Sequence, residues 1–179
     1  YRGLLGYLPQ DFGYYPDFSV WRFLYYMAAL KALPEPRAKQ RIEELLELVG
    51  LGDTGKKKAK NFSLGMKQRL GIAVALAGDP DFLVLDEPVN GLDPQGIIEI
   101  RELILKLNRE RKITFLISSH ILDELSRLAT HYGFIDAGHI VREVSAKELE
   151  DSCRKCTRVE VTDIQALVRV LEKRQMEYK

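Results

Sequence analysis

The sequence predicts an α/β fold in which helices cover a sheet on both faces. Continuous apolar segments alternate with amphipathic helical segments in the second half of the chain, and strands that are apolar on both sides belong in a sheet buried on both sides. The composition, 46% hydrophobic and 30% charged residues in a chain of 179, is that of a globular protein with one sizeable core.

Two amphipathic helices are predicted before any strong strand. The segment SVWRFLYYMAAL begins at Ser19, a favourable N-cap, and repeats apolar residues at helical spacing. The segment EPRAKQRIEELLELVG repeats this pattern and stops at Gly50, as helices often do. A third helix is predicted from Ser63 to Gly78.

The next elements alternate between strand and helix. FLVLD is predicted as a strand, and Asp93 and Pro94 are the expected N-cap and first residue of the following helix. Ser145 begins a capping box, SAKE, that opens another helix. Between the helix that begins at Pro94 and the capping box, we predict strands at ITFLIS, YGFID and HIVREV and a helix at HILDELSRLAT. After the capping box, we predict a strand at RVEV and an amphipathic helix at DIQALVRVLEKR.

Several classes of function are disfavoured by composition. A net charge of +1 gives no overall field that would attract nucleic acid or a membrane surface. The longest apolar stretch, FLYYMAAL, is far shorter than the roughly 20 residues of a spanning helix. The N-terminus lacks the pattern of a signal peptide and is expected to be an internal cut. The C-terminus is expected to be either a cut or the start of a small accessory domain. Cys153 and Cys156 form a lone C-x-x-C, for which an incidental role is favoured over a redox pair or half a zinc site.

Two adjacent acids end the predicted strand FLVLD. Asp86 and Glu87 lie where a buried strand reaches the sheet edge, and their negative charge is costly there unless a cation or hydrogen bonds offset it. Nucleotide hydrolysis with Mg²⁺ would use Asp86 to hold the metal and Glu87 to polarise water. Two capping or solvated acids are an equally good interpretation of this segment alone.

A phosphate-binding loop would decide between these interpretations. The segment Gly50 to Lys57, GLGDTGKK, satisfies G-x-x-x-x-G-K, but Lys57 stands where the loop needs Ser or Thr for the metal. It also follows a predicted helix rather than a strand. We therefore predict that residues 50–60 are a solvated basic connector and that the chain contains no phosphate loop.

The residues around the two acids carry a specific resemblance. The block NFSLGMKQRLGIAVALAGDPDFLVLDEPVNGLDP resembles the signature, Walker B and D-loop motifs of ATP-binding cassette (ABC) ATPases. The same order continues to SSH, where His120 is similar to the switch histidine, and Gln10 is similar to the Q-loop glutamine. The resemblance covers about residues 1–150. The signature, usually Leu-Ser-Gly-Gly-Gln, departs from the family pattern at Leu64 and Met66.

The resemblance implies a role for each matching residue. Ser63 and Gly65, at a helix start suited to an anion, would contact the ATP of a second subunit, and Asp93 would make contact across the dimer. Catalytic roles are implied for Glu87, His120 and Gln10, and Mg²⁺ binding for Asp86 and Gln10. The implied cofactors are ATP and Mg²⁺.

The same resemblance implies a partial P-loop NTPase-like domain with a parallel-sheet core and a helical subdomain. Residues 1–60 would form the Q-loop and helical subdomain, residues 61–150 the remaining motifs of the ATPase core, and residues 151–179 the start of an accessory segment. The N-terminal portion with the phosphate loop would be missing, so residues 1–179 alone are expected to be inactive.

Partners and location are also implied by the family. The expected partners are a transmembrane permease and a second ATP-binding subunit, in a head-to-tail homodimer or heterodimer, with no nucleic acid. The expected location is cytoplasmic, peripheral on the inner face of the cell membrane. Residues 61–160 look most similar to ATPases of bacitracin or lantibiotic export, and the first 50 residues to drug-export ATPases. Two alternatives stay open: an ABC ATPase that acts on ribosomes or DNA, and a non-catalytic fragment that pairs with a complete cassette.

The segment DFGYYPDFSVWRFLYY places eight aromatic residues among sixteen. We expect about half of them in the core and the others on a partner surface, because exposed aromatic residues are enriched at interfaces. In the family this region receives the coupling helix of the membrane subunit.

Overall fold

The computed structural model describes residues 4–30, 34–152, 161 and 163–174, and it divides the chain into two units, residues 1–128 and 129–179. The first unit contains β1 (Leu5–Leu8), α1 (Val20–Leu30), α2 (Glu35–Leu48), α3 (Leu64–Leu76), β2 (Phe82–Asp86), α4 (Pro94–Arg111), β3 (Thr114–Ser118) and α5 (Leu122–Leu125). The second unit contains β4 (His131–Asp136), β5 (His139–Ser145), α6 (Ala146–Ser152) and α7 (Ile164–Lys173).

Three parallel strands in the order β1-β2-β3 form the sheet of the first unit. Leu8 pairs with Leu85, which pairs with Ile117, so all three strands end at the same edge. The parallel sheet confirms the predicted fold class. The first two helices were predicted to come before any strong strand, and the strand that precedes them, β1, has only four residues with Gly6 among them. It is stabilised by pairing with β2 far along the chain.

The two faces of this sheet differ in burial. One face carries Leu8, Leu83 and Leu85, all fully buried, and α3 packs on it. On the other face Tyr7 is 54% and Leu116 58% exposed. The expectation that helices cover both faces of the sheet is therefore wrong for the face that carries Tyr7 and Leu116, as far as the described residues show.

The three helices α1, α2 and α3 confirm the predicted helices. The Ser19 hydroxyl accepts a hydrogen bond from the Arg22 N–H at 3.2 Å, as an N-cap does. The second helix ends at Leu48, and Gly50 follows with a φ of 70°, a conformation that glycine adopts at little cost. The apolar faces meet in a core that includes Val20, Phe23, Leu24, Ile42, Leu45, Leu46, Leu70 and Ala73.

The connector between α2 and α3 is more ordered than predicted. It contains two 3₁₀ turns, Gly52–Thr54 and Ala59–Asn61, and Leu51 is buried. The Trp21 N–H donates to the Gly55 carbonyl at 2.9 Å, which fixes the connector to the start of α1. It follows a helix, as predicted. Its lysines, Gly52 and Asp53 are exposed, whereas Leu51 and Ala59 are buried.

One connector lysine forms an exposed ion pair with the segment before α1. The Lys60 ammonium donates to Asp17 at 2.8 Å and lowers the pKa of that carboxyl. The pair adds an electrostatic contact to the backbone hydrogen bonds between the two segments.

The second unit begins with an antiparallel hairpin of β4 and β5. Its turn is Ala137 and Gly138, both with positive φ, and this confirms the predicted turn. The capping box is also confirmed: the Glu148 N–H donates to the Ser145 hydroxyl at 3.2 Å, and the Ser145 N–H donates to the Glu148 carboxylate at 2.8 Å. The Ser145 hydroxyl also donates to the Glu148 carboxylate, at 2.7 Å, and the two bonds that Ser145 donates lower the pKa of Glu148.

Three further predictions concern the later elements. The predicted helix HILDELSRLAT is only partly formed, since α5 spans four residues, Leu122–Leu125. The predicted C-terminal helix is confirmed as α7, with Asp163 accepting from the Ala166 N–H at 3.0 Å. Cys153, Cys156 and the predicted strand RVEV, apart from Val161, lie outside the described residues.

Within the described ranges, every helix is too short or too polar to cross a membrane.

Gly6 sets the distance between β1 and α3. A Cβ at this position would lie 2.5 Å from the Ala75 carbonyl oxygen, a backbone atom of the packed helix. We expect Gly6→Ala to lower the free energy of unfolding by about 1–3 kcal/mol, the usual range for overpacking. Gly13→Ala is the control, because its Cβ would have no neighbour within 4 Å. Urea denaturation of both variants is the measurement, and equal stability would contradict the close approach.

Candidate functional site

The candidate site lies where the three parallel strands end. Gln10 follows β1 by two residues, Asp86 ends β2 with Glu87 next in sequence, and His120 follows β3 by two residues. Carboxyl ends of parallel strands are where ligands bind in open α/β sheets. The fold thus brings four sequence-predicted residues to one edge.

Ser118 connects the two acids. It is the register partner of Asp86 in the neighbouring strand. Its hydroxyl donates to Asp86 Oδ1 at 2.5 Å and accepts from the Glu87 N–H at 3.0 Å. The Glu87 N–H also lies 3.2 Å from the Ser118 carbonyl oxygen. These contacts fix the backbone of one acid and one carboxylate oxygen of the other.

The backbone at Glu87 has a left-handed conformation, with a φ of 49°. This region is unusual for a side chain with a Cβ and typically costs about 1–3 kcal/mol, so the surrounding contacts must impose it. Its carbonyl accepts from the Asn90 N–H at 3.1 Å, and Val89 is buried. The turn therefore directs the chain away from the strand immediately after Asp86.

Glu87 and His120 form a direct pair. His120 Nδ1 lies 3.0 Å from Glu87 Oε2, with the Glu87 side chain 17% and the His120 side chain 65% exposed. An ionised carboxylate can only accept a hydrogen bond, so Nδ1 is the donor. Nε2 of the imidazole remains available to a ligand.

A half-buried ion pair holds the segment that follows His120. Arg101, on α4, donates to Glu124, on α5, at 3.1 Å, with side-chain exposures of 12% and 21%. This contact attaches the short helix α5 to the long helix α4.

Gln10 lies at the same edge of the sheet but outside the hydrogen bonds that join the two acids, Ser118 and His120. Its side chain is exposed, and among the described residues it makes no hydrogen bond to Asp86 or Glu87. Its backbone position is nevertheless set by Leu8, which lies two residues before it and pairs with Leu85.

The signature residues form a second cluster. Ser63 is exposed and caps α3, accepting from the Met66 N–H at 3.2 Å. A Cβ at Gly65 would lie 3.9 Å from Leu92, which places the start of α3 beside the loop before α4. Asp93 is also exposed and caps α4, accepting from the Gly96 N–H at 3.1 Å. Both predicted N-caps are confirmed, and each accepts from one of the N–H groups that the first turn of a helix leaves without an intrahelical partner.

The residues fit a divalent metal that is shared with a ligand. In the described part of the chain, no group of three or more His, Cys, Asp or Glu side chains could enclose a metal. Mg²⁺ is usually held by one or two carboxylates together with substrate phosphates, not by an all-protein cage. Asp86, with one oxygen bound by Ser118, and the amide oxygen of Gln10 are donors of the right chemistry.

The aromatic segment before and within α1 is mostly packed. Phe23 is buried, and Phe12, Tyr14, Phe18, Trp21 and Tyr25 are partly buried against the core. Tyr15 and Tyr26 are 49% and 40% exposed, with ring centroids 5.7 Å apart. The neighbouring Tyr15 hydroxyl raises the pKa of Tyr26. These two rings are the candidates for a partner contact.

Ser118 is the site residue that the sequence prediction missed. The signal was a hydroxyl at the end of an apolar strand, ITFLIS, next to the strand that ends in the acids. Finding it needed the register between β2 and β3.

The parallel sheet carries two acids linked through a serine at the carboxyl ends of its strands, the edge at which open α/β sheets bind ligands. Residues 1–90 match the family described as ABC transporter. This chain belongs to the ABC transporter family.

Two curated relatives and one solved structure give a closer view. The chain is 42% identical over 160 residues to the bacitracin transport ATP-binding protein BcrA of Enterococcus faecalis, covering 89% of this chain and 51% of that protein. It is 53% identical over 106 residues to the lantibiotic transport ATP-binding protein SrtF of Streptococcus pyogenes, covering 59% and 46%. It is similar to the ATP-binding cassette MJ0796, described as dimeric in a post-hydrolysis state with ADP and Pi, with a TM-score of 0.68, 25% identity and coverage of 79% and 62%.

These relatives confirm the predicted resemblance to bacitracin- and lantibiotic-type ATPases. The chain spans about half the length of the curated relatives it matches.

Proposed function

We propose that this chain is part of the ATP-binding subunit of an ABC transporter that exports a drug or peptide antibiotic. The observation that carries the proposal is the network of Asp86, Ser118, Glu87 and His120 at the carboxyl edge of the sheet. The names of two relatives, bacitracin and lantibiotic transport ATP-binding proteins, support the class of substrate.

Each residue of the network has a role that its geometry can support. Asp86 and Gln10 would hold Mg²⁺ on the nucleotide, and the metal would neutralise charge on the phosphates. Glu87 would polarise the attacking water as a general base. His120, held by Glu87 through Nδ1, would present Nε2 to a phosphate of the nucleotide.

The signature cluster would act on the nucleotide of a second subunit. Ser63 and Gly65 present the exposed start of α3, and Asp93 lies in the adjoining loop, so one surface could meet both the partner and its phosphate. The dimeric state described for the MJ0796 cassette supports this arrangement. Leu64 and Met66 leave the capping hydroxyl of Ser63 in place.

The permease would contact the aromatic segment, for which the exposed pair Tyr15 and Tyr26 is the candidate surface. We place the subunit in the cytoplasm on the inner face of the membrane, without a nucleic-acid partner. The functional division at residues 1–60, 61–150 and 151–179 is part of the same proposal.

The network also needs a phosphate loop that residues 1–179 do not contain. Such a loop supplies backbone N–H groups, a lysine and a metal-binding hydroxyl for the nucleotide. The exposed sheet face with Tyr7 and Leu116 is a surface on which additional helices or strands of the same domain could pack. We propose that adjoining sequence or another subunit provides the loop.

Titration of Mg²⁺·ATP into the 179-residue chain tests this dependence. We expect weak or undetectable heat of binding and no measurable hydrolysis, because Asp86 and Glu87 alone cannot hold the triphosphate. Micromolar binding by calorimetry would contradict the proposal. In that case loss of binding in Lys56→Ala would assign the site to the Gly50 to Lys57 segment.

A further inference from the structure

We infer that Ser118 is a positioning residue that sets the direction of both acids, Asp86 for the metal and Glu87 for the water. This inference rests on the proposed ATPase function. It assigns a role to a serine of the SSH motif for which the family resemblance gave none.

The first step concerns Asp86. A serine hydroxyl carries a single hydrogen, and Ser118 gives it to Asp86 Oδ1 at 2.5 Å. A hydrogen bond from a hydroxyl to a carboxylate at this distance is strong and charge-assisted. The bond fixes the rotation of the carboxylate and leaves Oδ2 as the freer oxygen for a cation.

The second step concerns Glu87. The Ser118 hydroxyl accepts from the Glu87 N–H at 3.0 Å, and the carbonyl of the same serine lies 3.2 Å from that N–H. Glu87 has an unfavourable positive φ, so these contacts help to maintain the turn. The 3.0 Å contact between the Glu87 carboxylate and His120 depends on this backbone direction.

The two steps meet in one atom. Ser118 Oγ is both the donor to one acid and the acceptor from the next, so a change at this oxygen affects both at once. A strand residue that only ended β3 would need no hydroxyl, and any side chain of similar size would serve equally well. The two interpretations therefore differ in what an isosteric replacement does.

The test compares Ser118→Val with Ser118→Thr in the full-length ATP-binding subunit. The two replacements have nearly the same shape, but only threonine keeps the hydroxyl. Mn²⁺ is titrated into the ATP-loaded protein and followed by electron paramagnetic resonance. Turnover and the melting temperature are measured on the same samples.

We expect Ser118→Val to weaken Mn²⁺ binding by about 10–100-fold, as loss of an outer-shell ligand contact commonly does, and to lower kcat more than it changes KM for ATP. Ser118→Thr should recover the Mn²⁺ affinity and kcat, and the two variants should melt at similar temperatures. Equal Mn²⁺ affinity in the two variants would overturn the inference. So would a loss in Ser118→Val that is confined to the melting temperature.

Glu87→Gln, measured in parallel, separates this inference from the function on which it rests. If Glu87→Gln abolishes turnover while Ser118→Val retains full Mn²⁺ affinity, the positioning role fails and the ATPase function stands. If Glu87→Gln retains full turnover, another group polarises the water, and the part of the inference that concerns Glu87 fails. If the unsubstituted subunit shows no ATP turnover, the proposed function fails and the positioning role falls with it.

Discussion

Glu87→Gln in the full-length subunit is expected to lower ATP turnover by about 10²–10⁴, the usual cost of removing a general base. The replacement keeps the shape of the side chain and a hydrogen-bonding oxygen beside His120 Nδ1, at 3.0 Å in the structure. It removes the charge and basicity that polarise water. ATP binding should remain, so ATP should accumulate in a stable dimer. Steady-state phosphate release and retention of labelled ATP are the measurements.

Glu102→Gln is the matched control, because this exposed glutamate of α4 lies outside the network. It should turn over ATP at the rate of the unsubstituted subunit. Unchanged turnover in Glu87→Gln would show that another group polarises the water. Loss of ATP binding in that variant would show that Glu87 contributes to the nucleotide site itself.

Ser63→Arg is expected to abolish ATP-driven dimerisation while ATP still binds to the monomer. Ser63 is exposed at the first turn of α3, where a phosphate of the partner's nucleotide would have to approach closely. An arginine fills that space. The substitution also removes the hydroxyl that caps the Met66 N–H, a loss of about 1 kcal/mol.

Ser63→Ala separates these two effects, since it loses the cap without adding bulk. Both variants should lose similar stability in thermal unfolding, but light scattering with Mg²⁺·ATP should show dimers only for Ser63→Ala. Normal dimers in Ser63→Arg would place the partner contact elsewhere. Absence of dimers in both variants would mean that the cap, rather than open space, is what the interface requires.

The helices were predictable from sequence because their signals are local. Ser19, Ser63 and Asp93 are polar residues directly before apolar repeats, and each accepts a hydrogen bond from the first turn of its helix. Strand β1 lacked such a signal. Four residues with Gly6 among them form a strand only because β2, far along the chain, provides the partner.

The site was predictable in part for the same reason. The acids stand side by side in the sequence, and the family resemblance indicated His120. The contact between Asp86 and Ser118 joins residues 32 positions apart, and it follows from the alignment of two strands rather than from any pattern in either. A one-residue shift in that register would place Ile117 beside Asp86 and remove the link.

The length of α4 gives the Arg101–Glu124 contact a mechanical consequence. The helix starts immediately after Asp93, and Arg101 lies about two turns along it, roughly 11 Å away at 1.5 Å per residue. Over so short a distance an α-helix behaves as a stiff rod. A displacement of the loop at Asp93 would therefore also displace Glu124 and the short helix α5, which follows His120 in the sequence. In the proposed dimer, contact at Asp93 would therefore be linked through α4 to the segment that follows His120.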